Sequence, residues 1–361
     1  MTEYAYIHIP FCKSKCKYCS FTSFTNDNLI TPYVYSLLKE IETNYEYEPL
    51  KTLYIGGGTP SILPLNLLEK IIKKFHFSDS PEITIETNPC DITEDYLESL
   101  YNLGINRISV GVQTFDDNVL KIIGRRHDSK QALSALELIK NSNIKNYSAD
   151  LIYGLPSQTE EIFKNDLKTL LECEPNHISL YGLKIEENCY FFKNPPQNLP
   201  DDDFQADLYL YAVKELGQNG YEHYEISNFA KPDYFSRHNM NYWNNEYYYG
   251  FGVSAHGYSD GIRYNNTNEL QKYIDNPTFH EYGKELNTEE KLQEEIFLGF
   301  RRCKGISVSE INEKFGIDFE NKYAKPLKKY SEAGFIEKEN GRYKLSLNGV
   351  LLSNIILSDF M

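Results

Sequence analysis

Strand-like and helical segments alternate six times over the first half of the 361-residue chain, and this alternation restricts the folds open to it. Strands that alternate with amphipathic helices form a parallel sheet with helices outside it. Six units predict an α/β fold with a partial TIM-type barrel, rather than the closed form with eight strands. The predicted strands cover residues 4–10, 51–55, 82–87, 107–113, 147–153 and 177–185. The predicted helices cover residues 30–45, 65–75, 94–103, 130–141 and 160–172.

The pattern changes after residue 185, where a polar stretch leads to one more predicted helix at 204–217. A Tyr- and Asn-rich segment without clear periodicity follows. The tail is predicted to contain a helix near 287, helices at 308–315 and 319–333, a hairpin and a final apolar helix, an order typical of a winged helix. We interpret the tail as a lid or docking domain. The predicted domains are a partial barrel at 1–220, a Tyr/Asn-rich extension at 221–286 and a winged-helix-like domain at 287–361.

The charge balance excludes one class of partner. Lys and Arg number 37 and Asp and Glu number 52, which gives a net charge of −15. A chain this acidic is poorly suited to general nucleic-acid binding, which depends on neutralising phosphates. No run approaches the roughly 18 apolar residues of a membrane span, and the acidic start Met1-Thr2-Glu3 differs from a signal peptide. We expect a soluble, cytoplasmic protein that does not bind nucleic acid.

Three cysteines, Cys12, Cys16 and Cys19, follow the first predicted strand with the spacing C-x3-C-x2-C. Thiolates this close converge only if the chain loops around a bound group, and soft thiolates select zinc or iron–sulfur. A structural zinc site needs a fourth ligand, and no second close pair of cysteines follows. Three ligands on a four-iron cluster leave one iron open, so the spacing favours a 4Fe–4S cluster over zinc. We interpret the other cysteines as small buried hydrophobes; they are Cys90, Cys173, Cys189 and Cys303.

Glycine and polar residues mark the ends of the next strands. The run Gly56-Gly57-Gly58-Thr59-Pro60 lets a ligand approach the backbone closely. Glu86, Gln113 and Asp150 lie at similar depth in otherwise apolar strands. Each of them alone is explained by a hydrogen bond inside the core, but together they favour a shared polar ligand. Arg125 suits a carboxylate. The combination describes a site for S-adenosylmethionine (SAM), whose amino and carboxyl groups the open iron would hold.

Longer motifs carry a resemblance over nearly the whole chain. The chain resembles the radical SAM superfamily, within it the oxygen-independent coproporphyrinogen III oxidase group, and most closely the HemW family of heme chaperones. The motifs are Tyr6-Ile-His-Ile-Pro-Phe-Cys12, the cysteine triad, Gly56–Pro60, Asn106-Arg-Ile-Ser-Val-Gly-Val-Gln-Thr-Phe115, Asp150–Thr159, Tyr224-Glu-Ile-Ser227, His238-Asn-Met-Asn-Tyr-Trp243 and Gly250-Phe-Gly-Val-Ser-Ala-His256.

The resemblance implies a role for individual residues. It implies that Cys12, Cys16 and Cys19 ligate the cluster and that His238 binds heme, for which a neutral imidazole is a normal axial ligand. Packing of the barrel mouth is the alternative role of the His238 motif. The residues implied to line the SAM site are Tyr6, Tyr18, Gly57, Gly58, Thr59, Glu86, Gln113, Arg125 and Asp150.

Two features separate the chaperone family from the porphyrinogen enzymes. The enzyme group has a further cysteine two residues after the third, where this chain has Phe21, and it has a longer segment before the first strand. We therefore expect a radical SAM heme chaperone without coproporphyrinogen oxidase activity, and the oxidase is the alternative. The third reading is a zinc-stabilised binding module. The implied partners are heme, acceptor hemoproteins such as respiratory-chain proteins at the membrane, and a second copy of the chain in a homodimer.

Overall fold

The computed structural model describes residues 1–361, apart from the side chain of Tyr282. The chain forms two compact units. The first contains Met1–Ala212 and Tyr247–Lys284, and the second contains Val213–Glu246 and Glu285–Met361. The Tyr/Asn-rich segment at 221–286, predicted as one extension, is thus divided at residue 247, and the three predicted domain boundaries stay a prediction.

Strands and helices account for most of the chain. The strands are β1 (Tyr4–Ile9), β2 (Leu50–Gly57), β3 (Phe77–Thr87), β4 (Arg107–Gln113), β5 (Asn146–Tyr153), β6 (His177–Gly182), β7 (Glu222–Glu225), β8 (Asn228–Ala230), β9 (Tyr249–Phe251), β10 (His256–Ser259), β11 (Ile262–Asn266), β12 (His280–Glu285), β13 (Ile306–Ser307), β14 (Ile336–Glu339) and β15 (Arg342–Leu345). The helices are α1 (Ile30–Asn44), α2 (Leu65–Ile72), α3 (Glu94–Asn102), α4 (Asp117–Ile123), α5 (Ser129–Asn141), α6 (Glu160–Cys173), α7 (Tyr190–Lys193), α8 (Asp202–Gln218), α9 (Arg237–Trp243), α10 (Leu270–Asp275), α11 (Thr288–Gly299), α12 (Val308–Phe315), α13 (Phe319–Lys322), α14 (Ala324–Glu332), α15 (Leu347–Leu351) and α16 (Ser353–Ser358).

A parallel sheet organises the first unit. Its strands follow the order β6-β5-β4-β3-β2-β1-β9, and β9 pairs in parallel with the free side of β1. The six strands predicted from the sequence are confirmed, and so is the α/β fold with helices between the strands. Because all six strands run the same way, their carboxyl ends and the loops that follow them lie on one edge of the sheet.

Local sequence explains why the helices pack outside this sheet. In α1 the buried residues Tyr33, Val34, Leu37, Leu38 and Ile41 recur at a helical spacing and form one apolar face. Such a face must be buried against another element, and the apolar strands provide the surface for it. Helix α5 begins at a capping box in which Asp128 and Gln131 exchange side-chain and backbone hydrogen bonds, and this fixes where the helix starts.

The second unit holds the carboxyl-terminal elements. Strands β13, β15 and β14 form a three-stranded sheet, and helices α11 to α16 share an apolar core that includes Phe300, Phe319 and Phe360. The predicted single helix at 319–333 is wrong, because the chain leaves helical geometry at Tyr323 (φ −108°, ψ 24°) and forms α13 and α14. The final apolar helix is likewise divided at Leu352.

Among the described residues, no helix is both long enough and apolar enough to cross a membrane.

Candidate functional site

The three cysteines lie on a loop that leaves the carboxyl end of β1. The loop is closed at its base, where the Cys12 N–H donates to the Phe24 carbonyl (2.9 Å) and the Phe24 N–H donates to the Pro10 carbonyl (2.7 Å). The middle of the loop is hydrogen-bonded to the end of α4, since the Lys17 N–H donates to the Ile123 carbonyl (3.0 Å). The sequence spacing therefore corresponds to one closed loop held at both its base and its centre.

Polar groups from distant parts of the sequence face two of the thiols. The Thr59 hydroxyl lies 3.4 Å from the Cys12 sulfur, and the Arg125 Nη1 lies 3.5 Å from the Cys16 sulfur. Donors placed in this way stabilise the negative charge that a sulfur carries when it is a metal ligand. Burial raises the pKa of the Cys19 thiol to about 11, although the Phe21 N–H and Lys15 oppose the rise.

The donor set fits an iron–sulfur cluster. Three sulfurs on one loop, two of them facing donors, suit a thiolate-ligated cluster that carries negative charge. The buried Nε of Arg125 has no hydrogen-bond partner among the described residues, so this side chain retains donor capacity. As the described side chains stand, no group of three His, Cys, Asp or Glu is arranged to hold a metal ion. The role of the three cysteines as ligands stays a prediction.

The glycine run at the end of β2 contacts both the Glu86 side chain and the cysteine loop. The Gly57 N–H donates to Glu86 Oε2 (3.0 Å), and the Tyr54 hydroxyl donates to Glu86 Oε1 (2.9 Å). A Cβ atom at Gly58 would lie 2.7 Å from the Phe11 carbonyl oxygen, so only glycine fits beside the cysteine loop at this point. The glycine run therefore lies between the cysteine loop, which it contacts at Phe11, and the Glu86 side chain of β3.

Two half-buried carboxylates, Glu86 and Asp150, lie on β3 and β5, the strands on either side of β4. Burial raises the pKa of Glu86 to about 7, and Asp150 adds to the rise. Burial also raises the pKa of Asp150 to about 6, against hydrogen bonds from Ser179 and Ser109. The Ser109 hydroxyl lies 3.2 Å from Asp150 Oδ1. The positive charge of Arg107 lowers the pKa of both acids and so favours their ionised forms near neutral pH.

Arg125 connects the cysteine loop with the end of β4. Its Nη2 donates to the Gly111 carbonyl (2.5 Å), and its side chain also bonds to Tyr18. Burial raises the pKa of the Tyr18 phenol, while Arg125 opposes this rise. Gln113 ends β4 with a left-handed backbone (φ +73°), and its amide occupies the space that a Cβ atom at Gly111 would need. The structure thus brings together the predicted residues of the cysteine loop, of β4 and of the segment after α4.

Three residues of this site, Tyr54, Arg107 and His8, are not among those predicted from the sequence. The Tyr54 hydroxyl donates to the Glu86 carboxylate. Arg107 is 2% exposed and lies in β4, between the strands that carry Glu86 and Asp150. The His8 Nε2–H donates to the Thr22 carbonyl (2.8 Å), so the Nδ1 of the neutral ring accepts from the hydroxyl of the predicted residue Tyr6 (3.0 Å). A polar side chain inside an apolar strand, the signal used for Glu86 and Asp150, is also present at these three positions.

The predicted heme ligand lies in the second unit. Helix α9 carries the motif from His238 to Trp243, and Ser236 caps its first turn. The His238 side chain is 1% exposed, and its Nε2 lies 2.8 Å from the Tyr242 hydroxyl. The Trp243 ring packs against the Arg301 guanidinium, at 5.0 Å from the ring centroid. His256, the next histidine of the quoted motifs, is exposed and belongs to the first unit.

Two segments of the chain match known protein families. Residues 6–170 match the Radical SAM superfamily, and residues 286–352 match the HemN C-terminal domain. The fold is similar to that of coproporphyrinogen III oxidase (HemN) from Escherichia coli, a Radical SAM enzyme, with a TM-score of 0.87 and 24% identity. The similarity covers 99% of this chain and 89% of that one. These matches define the chain as a radical SAM protein, a class that implies a 4Fe–4S cluster and SAM.

Similarity to curated proteins identifies the family within that class. The chain is 37% identical to the heme chaperone HemW of Lactococcus lactis, covering 99% of this chain and 97% of the relative. It is 36% identical to the heme chaperone HemW of Bacillus subtilis, with coverage of 99% and 98%. A shorter match of 39% identity covers 70% of this chain and 69% of the Escherichia coli HemW. The chain therefore belongs to the HemW family.

Proposed function

We propose that this protein is a heme chaperone of the radical SAM type, which binds a 4Fe–4S cluster, SAM and heme and transfers heme to acceptor hemoproteins. The observation that carries the proposal is the similarity to proteins named heme chaperone HemW over 99% of this chain. The chain also contains the motif His238-Asn-Met-Asn-Tyr-Trp243, with its histidine and tyrosine on one helix. Acceptor hemoproteins, including respiratory-chain proteins at the membrane, are the partners we propose.

Cys12, Cys16 and Cys19 would hold the cluster, and the open iron would supply a binding point for the amino and carboxyl groups of SAM. The chain's own groups then have separate tasks. Thr59 and Arg125 donate toward two of the sulfurs and stabilise their negative charge. Backbone groups of the glycine run and the carboxylates of Glu86 and Asp150 would accept and orient the polar groups of SAM. Tyr6, Tyr18 and Gln113 would complete the walls of that site.

His238 would bind the heme iron, and Trp243 would pack against the porphyrin face. The alternative is oxidation of coproporphyrinogen III. The fold likeness to HemN does not favour that reaction here, because at 24% identity it carries only the fold. Phe21, 66% exposed, occupies the position at which the enzyme group has a further cysteine, and this departure supports the chaperone. We also propose a cytoplasmic location and a homodimer.

Heme binding and coproporphyrinogen oxidation can be tested on the same sample. The protein is reconstituted anaerobically with iron and sulfide, titrated with hemin, and then assayed with coproporphyrinogen III under reducing conditions with excess SAM. We expect stoichiometric heme binding, a shifted or weakened Soret band in His238→Ala, unchanged cluster absorbance in that variant, and no protoporphyrinogen. His256→Ala is the matched control and should bind heme as the unmodified protein does. Robust formation of protoporphyrinogen would contradict the chaperone function.

A further inference from the structure

Helix α9 holds His238 in a closed environment. His238 and Tyr242 are four residues apart and therefore lie on the same face of the helix. The imidazole Nε2 and the tyrosine oxygen are 2.8 Å apart, and the two rings are nearly perpendicular (84°) with their centroids 5.0 Å apart. Only 1% of the His238 side chain is exposed. A porphyrin cannot reach this nitrogen while the contact with Tyr242 is intact.

The hydrogen bond removes the lone pair that iron needs, whichever tautomer is present. A neutral imidazole has one N–H and one lone pair on its two nitrogens. If Nε2 accepts from the tyrosine, the hydroxyl proton occupies its lone pair. If Nε2 donates to the tyrosine, the proton is on Nε2 and no lone pair is left there. In both cases Nε2 becomes an iron ligand only after its contact with Tyr242 is broken.

The surroundings of α9 leave other polar groups unsatisfied in this closed form. Asn241 is 2% exposed, and neither atom of its amide has a hydrogen-bond partner among the described residues. The same holds for the indole Nε1 of Trp243 and for the Nε of Arg301. Buried polar groups in native proteins nearly always have partners, so these groups have hydrogen-bonding capacity that water, a ligand or a second conformation of α9 would use.

We infer that Tyr242 is a positioning residue of the heme site, whose hydroxyl holds His238 closed until heme displaces it. The inference rests on the proposed function. In the exchange, a coordinate bond forms between Nε2 and the heme iron, and the hydrogen bond between Nε2 and Tyr242 breaks. The phenol keeps its own proton, and no electron is transferred. The coordinated imidazole carries its single proton on Nδ1: a ring with the proton already there keeps it, and a ring with the proton on Nε2 loses it to solvent and gains one at Nδ1.

The test is Tyr242→Phe in the full-length, cluster-reconstituted protein, with hemin as the probe. This variant keeps the ring and removes the hydroxyl. Because a single hydrogen bond contributes a modest net free energy, we expect hemin association measured by stopped flow to become about three- to tenfold faster. The Soret position should match that of the unmodified protein, since His238 remains the ligand. Tyr330→Phe is the matched control, because it removes another tyrosine hydroxyl of the same unit that is hydrogen-bonded to a side chain; this hydroxyl donates to Asp359 (2.8 Å).

A second measurement does not use heme. Diethyl pyrocarbonate modifies unprotonated, accessible imidazole nitrogens, and mass spectrometry locates the product. We expect His238 to react slowly in the unmodified protein and in Tyr330→Phe, and several-fold faster in Tyr242→Phe. If the Tyr242→Phe variant reacts at the unmodified rate and binds hemin no faster, the inference is wrong.

The possible results distinguish a failure of the inference about Tyr242 from a failure of the proposed heme-binding role of His238. Hemin binding that needs His238 but is unchanged or slowed in Tyr242→Phe contradicts the inference alone. Hemin binding that is absent, or that is identical in the unmodified protein and His238→Ala, contradicts the proposed role of His238, and the inference fails with it. Combining Tyr242→Phe with His238→Ala should abolish the faster association, because the gain depends on the freed nitrogen.

Discussion

The cysteine loop after β1 and the helix α9 both carry residues proposed to bind iron, but they hold them in opposite ways. In the loop, the sulfurs of Cys12 and Cys16 face the donors Thr59 and Arg125, which would stabilise the negative charge of a bound cluster. In α9 the ring nitrogen of His238 is already hydrogen-bonded to Tyr242 and is buried. A resident cofactor needs ligand atoms that are available for binding at all times. A cargo that binds and dissociates is compatible with a ligand atom that returns to a hydrogen bond within the protein when the cargo leaves. The difference supports a cluster that stays and a heme that is exchanged.

The largest expected effect tests the loop. Changing Cys12, Cys16 or Cys19 to Ala removes one of three thiolates, and we expect each change to abolish the cluster. Iron content and visible absorbance after anaerobic reconstitution measure this. Cys173→Ala, a change in the same unit at the end of α6, should leave both unchanged. Stoichiometric zinc without iron after anaerobic purification would contradict the cluster.

A change at Gly58 tests whether the close contact between the glycine run and the cysteine loop fixes the conformation of that loop. Gly58→Ala places a Cβ atom 2.7 Å from the Phe11 carbonyl oxygen, and neither backbone can yield easily. We expect a loss of about 1–3 kcal/mol in the free energy of unfolding, as for other overpacked sites, together with reduced cluster incorporation. Chemical denaturation and iron content measure the two effects.

Gly217→Ala provides the matched control for Gly58. A Cβ atom at Gly217 would meet no atom within 4 Å, and alanine favours helices. This variant should be as stable as the unmodified protein or more so. Equal stability of the two alanine variants would show that the loop tolerates displacement.

Asp150 and Arg125 test the SAM site without replacing a cluster ligand, although Arg125 also contacts the Cys16 sulfur, so the iron content of both variants is measured alongside. Asp150→Ala or Arg125→Ala removes a charged hydrogen-bonding group, which typically costs roughly 1.5–3 kcal/mol, or about ten- to hundredfold in affinity. Isothermal titration with SAM on the reconstituted protein measures this. Arg126→Ala, which breaks the ion pair with Asp91, is the control for loss of a positive charge. Unchanged affinity in both test variants would mean that SAM binds elsewhere.

The pKa values of the two acids predict how SAM binding depends on pH. The pKa of Glu86 is about 7 and that of Asp150 about 6, both raised by burial. Cationic SAM favours the ionised acids, so its affinity should fall as pH drops from 8 to 6, by up to about tenfold per unit for each protonated acid. Arg107→Met should move this fall to higher pH, because Arg107 lowers both pKa values. A flat profile between pH 6 and 8 would contradict the role of these acids.

The smallest expected effect concerns α9. Trp243→Phe keeps an aromatic surface and the histidine ligand but removes the indole N–H, so we expect heme affinity to fall only a few-fold. His238→Ala should lose far more, because a coordinate bond disappears. Hemin titration of both variants compares them. If Trp243→Phe loses as much as His238→Ala, then the indole, and not the imidazole, dominates heme binding.

The sequence by itself determined the framework of this protein. The period of apolar residues in a strand or helix is a local property, so the six parallel strands and the helices between them could be predicted. The cysteine spacing is local too, and Glu86, Gln113 and Asp150 could be recognised because a polar residue in a buried strand is conspicuous. Helix α9 was not predicted because it is only seven residues long and lies in a Tyr/Asn-rich segment without a clear period.

Only the tertiary structure decided which distant groups meet. The contacts between Thr59 and Cys12, and between Arg125 and Cys16, join residues 47 and 109 positions apart. No local pattern encodes them, because they depend on which strands are neighbours and on where each loop returns. The burial of His238 has the same origin. A four-residue spacing on a helix brings Tyr242 near, but only tertiary packing leaves the residue 1% exposed.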